Sequence, residues 1–216
     1  MEREAGSARQ SNVLTPSVPR DIGARAQRQR ILDAMAIVVA EKTFSAATIA
    51  DIVGQASISR ATFYKHFADK RECFDAAAKS FVGELSDTAI GAQSSAESRP
   101  DAIRQAIAAV LEQLAAKPSY ANLVLINAPI LEPGIVTDHR ELAVEGLKAQ
   151  WGAGKGGKWA GADARIAFGR AHVLIADYLA GDRADELPEL QPEISYVMLL
   201  PFVGNEEALA QARSAQ

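Results

Sequence analysis

Apolar residues recur at helical spacing along most of the chain, beginning at Arg25. Ile31, Met35 and Val38 stand at i, i+4 and i+7, which predicts a first helix that ends before Thr43. The sequence shows no β-hairpin signal and no internal repeat. The pattern therefore predicts an all-α fold.

Two short helices joined by a tight turn are predicted next. Thr48 is a suitable N-cap for the first, with Asp51 at the position that completes a capping box, and Ser59 is a suitable N-cap for the second. Asp69 then begins a long helix over 69–90. Short helices in this arrangement are typical of a helix-turn-helix.

The rest of the chain also has helical periodicity, and its helices are expected at 101–116, 119–128, 139–151, 164–181 and 194–204. The glycine-rich segment 152–163 interrupts this pattern and is expected to be a loop. The predicted organisation is a disordered N-terminal tail (1–24), a three-helix helix-turn-helix head (25–75) and a larger helical bundle (76–216).

The second short helix has one apolar face and one polar, basic face. At about 100° per residue, Phe63 and Phe67 share the face that would pack on the head. An ordinary surface helix would also expose charge, but this one has no acidic residue before Asp69. Basic and hydroxyl side chains on such a face suit phosphates and base edges in a major groove. The candidate DNA-binding residues are Thr48, Ser59, Arg60, Ala61, Thr62, Tyr64, Lys65, His66 and Lys70.

The distribution of charge supports an anionic partner at the N-terminal end. The 216 residues carry a net charge of −4, yet residues 1–80 hold 12 lysines and arginines against 9 acidic residues, and residues 81–216 hold 11 against 18. A basic front on an acidic body favours an anion that meets only the front, although chance unevenness would look the same.

Other features narrow the class of protein. One cysteine, Cys73, allows neither an internal disulfide nor a zinc cluster, and a buried thiol is favoured over a redox sensor. The apolar run 34–40 is too short to span a bilayer and the N-terminus lacks a signal-peptide core, so a cytoplasmic protein without membrane contact is expected. Residues 152–158 fit G-x-x-x-x-G-K, but Trp159 replaces the hydroxyl residue and a helix precedes it, so a loop is favoured over a phosphate site. No cofactor or metal is predicted.

Residues 28–78 resemble the DNA-binding region of TetR-family transcriptional regulators. The resemblance is carried by TIADIVGQASISRATFYKHFADK, in which a capped helix, a turn and a helix ending in Tyr-x-x-Phe follow one another. Ser57 stands where the family usually has glycine in the turn. A left-handed residue there would cost serine roughly 1 kcal/mol relative to glycine.

The resemblance implies a homodimer that presents its two heads to successive major grooves of a near-palindromic, double-stranded operator, about 34–36 Å apart. The resemblance also implies that the bundle 76–216 is a ligand-binding and dimerisation domain, with its last two long helices, about 164–181 and 191–203, at the dimer interface. A repressor released by a small hydrophobic ligand is the commonest version in the family. A regulator of the same architecture without a ligand is the alternative.

The sequence also offers candidate ligand-binding residues and bears on whether the protein is an enzyme. The candidates for ligand contact are Tyr120, Trp151, Phe168 and His172, although these residues could equally be plain core. An enzyme built on a helical bundle would need clustered acid–base or metal-binding groups, and the sequence suggests none, so a non-enzymatic protein is expected.

Overall fold

The computed structural model describes residues 20–131 and 160–214, together with Gly134, Asp138, Arg140, Glu141, Val144 and Glu145 between them. Within this part of the chain all regular structure is helical, as the sequence predicted. The tail as far as residue 19, most of the helix expected at 139–151 and the G-x-x-x-x-G-K segment lie outside the described residues.

Four helices build the N-terminal part, and they are α1 (Arg20–Ala46), α2 (Ile49–Gln55), α3 (Arg60–His66) and α4 (Lys70–Ala92). α1 begins ahead of the predicted start at Arg25. Its regular part ends where expected, because Thr43 has φ 69° and ψ 157°, which breaks the helix. A β-branched residue in this glycine-favouring region is strained, so the turn between α1 and α2 stores conformational energy.

The remaining helices are α5 (Arg99–Ala116), α6 (Pro118–Asn122), α7 (Ala128–Leu131), α8 (Ala160–Ala180), α9 (Gln191–Val203) and α10 (Asn205–Arg213). A π-helical turn, Leu123–Asn127, connects α6 to α7, and a 3₁₀ helix, Ala184–Leu190, precedes α9. The loop expected at 152–163 is wrong over 160–163, where α8 has already begun. Alanines and Asp163 in the first turn favour this earlier start, because alanine has high helix propensity and the helix dipole favours a carboxylate there.

α4 carries the apolar core from the head into the rest of the molecule. Phe74 and Phe81 are both fully buried, the first against Phe44 of α1 and the second against Tyr120 of α6. Cys73 lies in the same core, where burial raises the pKa of its thiol to about 12. The prediction that this thiol is buried is therefore confirmed.

The described helices also bear on membrane contact. Among them, none combines the length and the apolar composition that crossing a bilayer requires.

Candidate nucleic-acid interface

The first helix of the helix-turn-helix, α2, begins at a complete capping box. The Thr48 N–H donates to Asp51 Oδ2 over 3.0 Å, and the Asp51 N–H donates to Thr48 Oγ1 over 3.2 Å. Lys42 Nζ lies 2.8 Å from Asp51 Oδ1. The bond from Lys42, followed by those from Thr48, lowers the pKa of Asp51 to about 2. Thr48 is exposed at the start of α2, and its hydroxyl accepts the hydrogen bond that caps the helix.

The turn between α2 and α3 contains a left-handed residue at the position where the family usually has glycine. Ser57 has φ 52°. The Ile58 N–H donates to Val53 O over 3.0 Å and the Ser57 N–H donates to Gly54 O over 3.1 Å, which is the hydrogen-bond pattern of a Schellman motif. The motif survives without glycine because these two bonds satisfy the carbonyls at the end of α2.

The second helix, α3, is fixed by its cap and by two phenylalanines. The Thr62 N–H donates to Ser59 Oγ over 3.1 Å, and the two hydroxyls lie 2.9 Å apart. Phe63 and Phe67 are buried in the head, with Ile58 packed beside the same core. Their burial leaves α3 one possible orientation, with its polar side outward.

The outward side of α3 has the composition of a major-groove surface. Arg60, Ala61, Tyr64 and Lys65 are exposed, and we call these four residues the reading face. Tyr64 is 55% exposed although its ring meets Phe63 edge to face. An exposed aromatic ring that shares a helix face with two cations can contact base edges, and the cations can contact phosphates.

The two basic residues predicted beyond the reading face have partners within the head. His66 Nε2 lies 3.2 Å from Gln27 Oε1 of α1. Lys70 Nζ donates to Phe44 O and Ala47 O, each over 2.7 Å. Lys70 therefore ties the start of α4 to the turn after α1, and DNA contact by either residue stays a prediction.

Tyr120, a predicted ligand residue, lies at the junction between α1 and α6. Its hydroxyl donates to Asp33 Oδ1 over 2.8 Å, and Gln29 Nε2 donates to Asp33 Oδ1 over 2.9 Å and approaches Tyr120 Oη at 3.2 Å. Burial, together with the bond to Asp33, raises the pKa of Tyr120 far above its usual value. The phenol therefore stays protonated and donates its hydrogen bond to Asp33 of α1.

The other ligand candidates belong to α8 or lie outside the described residues. Phe168 and His172 are partly buried one helical turn apart, and the His172 ring bonds to the backbone of Leu125 in the π-helical turn. Burial lowers the pKa of His172, so its ring is neutral at physiological pH. Trp151 lies outside the described residues. A ligand contact by any of them remains a prediction.

An open groove of about 690 Å³ runs along α4, but its chemistry does not suit an apolar ligand. Most of its lining is charged, including Arg28, Asp69, Arg71, Glu72, Asp75 and Lys79. In the part of the chain that the structure describes, His, Cys, Asp and Glu side chains do not cluster as a metal site would require.

Sequence reasoning missed Gln29 and Asp33. Their spacing of i, i+4 on one helix was visible, but such a pair is usually a solvated face. The partner that gives them a role, Tyr120, lies 87 residues from Asp33, and no periodicity predicts a contact at that separation.

These features define a helix-turn-helix DNA-binding protein: a capped helix, a tight turn, and a second helix held by Phe63 and Phe67 with a basic outer side. Residues 31–77 match the family model of bacterial regulatory proteins, tetR family. No curated protein sequence matches the chain.

Solved structures share the fold over most of the chain. The fatty acid degradation regulator FadR from Bacillus halodurans has a TM-score of 0.70 at 16% identity, covering 86% of this chain and 97% of that one. FadR from Bacillus subtilis, in complex with stearoyl-CoA, has a TM-score of 0.69 at 17% identity and covers 82% and 98%. A TetR-like transcriptional regulator from Rhodococcus sp. RHA1 has a TM-score of 0.65 at 18% identity, covering 83% of this chain and 97% of that one. The head of the chain thus matches the tetR family of bacterial regulatory proteins, and the chain shares the fold of TetR-like transcriptional regulators.

Proposed function

We propose that the chain is a homodimeric, non-enzymatic repressor that binds a near-palindromic operator and is released by a small hydrophobic ligand. The observation that carries the operator part is the reading face. Arg60, Tyr64 and Lys65 point outward from a helix whose opposite side is buried, which is the arrangement that a major-groove reader requires.

An exposed apolar stripe on α8 supports the homodimer. Ile166 is 56% exposed and Val173 is 65% exposed, two turns apart on one side of the helix. Exposed apolar residues at this spacing favour packing against another helix. In a two-fold dimer the same stripe of a second copy would cover them.

The ligand part is supported by a structural neighbour and by the surroundings of α8. The FadR protein from Bacillus subtilis was solved with stearoyl-CoA, and α8 of this chain places a neutral His172 and the Phe168 ring beside the π-helical turn. π-helical turns are frequent at functional sites. Acyl-CoA thioesters are therefore the first ligands to test, with free fatty acids and small aromatic compounds as comparisons.

The deciding experiment is selection from a randomised duplex pool by the purified protein at a fixed salt concentration. Enrichment of a near-palindrome with two half-sites is expected. Enrichment of nothing, with weak binding that salt abolishes, would reject sequence-specific recognition. The selected duplex then serves as the probe for release by acyl-CoA thioesters. A protein that binds the duplex equally tightly with every ligand tested would favour the alternative, a regulator without a small-molecule ligand.

A further inference from the structure

The orientation of the head depends on what holds α1 against the C-terminal helices. The chain passes from the head to the rest of the molecule through α4, and a helix tethered only at one end can tilt about that connection. A side-chain contact between α1 and a helix beyond α4 provides a second connection. Two connections fix the angle between the head and the rest of the molecule, whereas a single connection leaves that angle free.

The Gln29–Asp33–Tyr120 cluster is such a connection. The Tyr120 hydroxyl meets the Asp33 carboxylate at 2.8 Å, and Gln29 bonds to the same carboxylate oxygen at 2.9 Å. Tyr120 is only 8% exposed, and its ring packs on Phe81 of α4 with centroids 5.0 Å apart. The ring is thereby held in place by the helices beyond the head (76–216), which we call the body. The hydroxyl therefore defines where Asp33 and α1 must lie.

A second contact holds the other end of the same segment. The Arg71 guanidinium, in the first turn of α4, donates to Leu131 O at the end of α7 over 2.6 Å. The chain from Tyr120 to Leu131 is therefore tied at both ends to the head or its connection. Between the ties lies the π-helical turn, where Leu125 meets His172 of α8.

We propose that Asp33 and Tyr120 are positioning residues for operator recognition, because their hydrogen bond sets the angle between the head and the body. In the dimer, that angle fixes the separation of the two reading faces, and so the half-site spacing that the protein accepts. The proposal rests on the proposed function for its DNA part, while the fixed angle is a property of the chain alone.

The angle can be measured without DNA. Spin labels at Gln55→Cys on the head and Glu112→Cys on α5, both exposed positions, report the distance between the head and the body. Cys73 does not compete for the label, since it is fully buried and its pKa of about 12 keeps it as a thiol. Dilution with unlabelled protein restricts the signal to one chain.

Tyr120→Phe removes one oxygen and keeps the ring on Phe81, so it is expected to broaden or shift the measured distance while the protein stays folded. Tyr196→Phe is the matched control, because the Tyr196 hydroxyl bonds to Asn205 at 3.0 Å between α9 and α10, away from the head. The control should leave the distance unchanged. An unchanged distance in Tyr120→Phe as well would overturn the proposal.

The DNA measurement separates positioning from simple weakening. Operators with half-sites moved apart by one and two base pairs are compared with the selected operator. Tyr120→Phe is expected to reduce the preference of the wild-type protein for its best spacing by roughly 2- to 10-fold, the factor that one ordinary hydrogen bond supports. Asp33→Ala should do the same, and Asp33→Asn, which keeps an acceptor oxygen, should restore most of the preference.

Equal loss of affinity at every spacing would reject positioning in favour of a structural role. The two proposals also fail differently. A wild-type protein that selects no operator defeats the proposed function, and the label distances still decide whether the hydrogen bond fixes the angle.

Discussion

The proposed operator specificity depends on few side chains, because α3 has only seven residues and its inner side is buried. Arg60→Ala and Lys65→Ala are each expected to weaken binding to the selected operator by roughly 1–3 kcal/mol if the residue contacts a base edge, with relaxed preference at that base pair. Competition binding with single-base operator variants measures both effects. Arg213→Ala, which removes an exposed cation from α10, is the control.

His66→Ala should differ from these two variants. A lost phosphate contact weakens every sequence by a similar factor and lowers the salt dependence of binding. If all three head variants bind as wild type does, the reading face has been assigned to the wrong residues.

Two residues hold backbone conformations that favour glycine, Thr43 with φ 69° and Ser57 with φ 52°. Thr43→Gly should raise the free energy of unfolding by about 1–3 kcal/mol and Ser57→Gly by roughly 1 kcal/mol, because glycine relieves the steric strain at each turn. Chemical denaturation measures both. Thr88→Gly, within the C-terminal part of α4, is the matched control and should lower stability. A loss of stability in either turn variant would show that the side chain, not the strain, dominates there.

At the scale of the elements, local rules account for the head. The caps at Thr48, Ser59 and Asp69 all form, since each requires only an acceptor side chain and a free N–H a few residues away. Sequence reasoning also foresaw the buried Phe63, because a helical face is set within a few residues.

Contacts between distant elements were not foreseen, for a physical reason. Tyr120 looked like a ligand residue because an aromatic side chain in an apolar helix suits a pocket as well as a junction. Only the approach of α1 to α6 distinguishes the two, and both helices pack on α4, α1 against Phe74 and α6 against Phe81. The start of α8 was misplaced for a local reason, because the glycines before it outweighed the alanines that begin it.

The capping box of α2 gives that element a defined response to acid. The pKa of Asp51 is lowered to about 2 in the folded state, so the carboxylate stabilises the fold above its unfolded pKa of 3.8. This contribution is lost as the pH falls from about 4 towards 2. Asp51→Asn should therefore unfold at a lower temperature than wild type at pH 7, and the two melting temperatures should converge near pH 2. Because Asp51 is solvent-exposed, the difference should be small and should shrink in high salt. An equal difference in melting temperature at pH 7 and pH 2 would show that the charge of Asp51 does not cause it.

At the scale of the whole molecule, operator binding and dimerisation should fail together. Val173→Glu places a charge in the exposed apolar stripe of α8, where a second copy would have to desolvate it, so the variant is expected to be monomeric by light scattering. Ile90→Glu is the matched control, since Ile90 is 69% exposed near the end of α4 and lies away from the stripe. The monomer should also lose most of its affinity for a two-half-site operator while retaining weak binding to one half-site, because linked heads gain from effective concentration and single heads do not. A dimeric Val173→Glu protein with full operator affinity would place the dimer interface elsewhere, and a monomeric one with full affinity would show that a single head suffices for recognition.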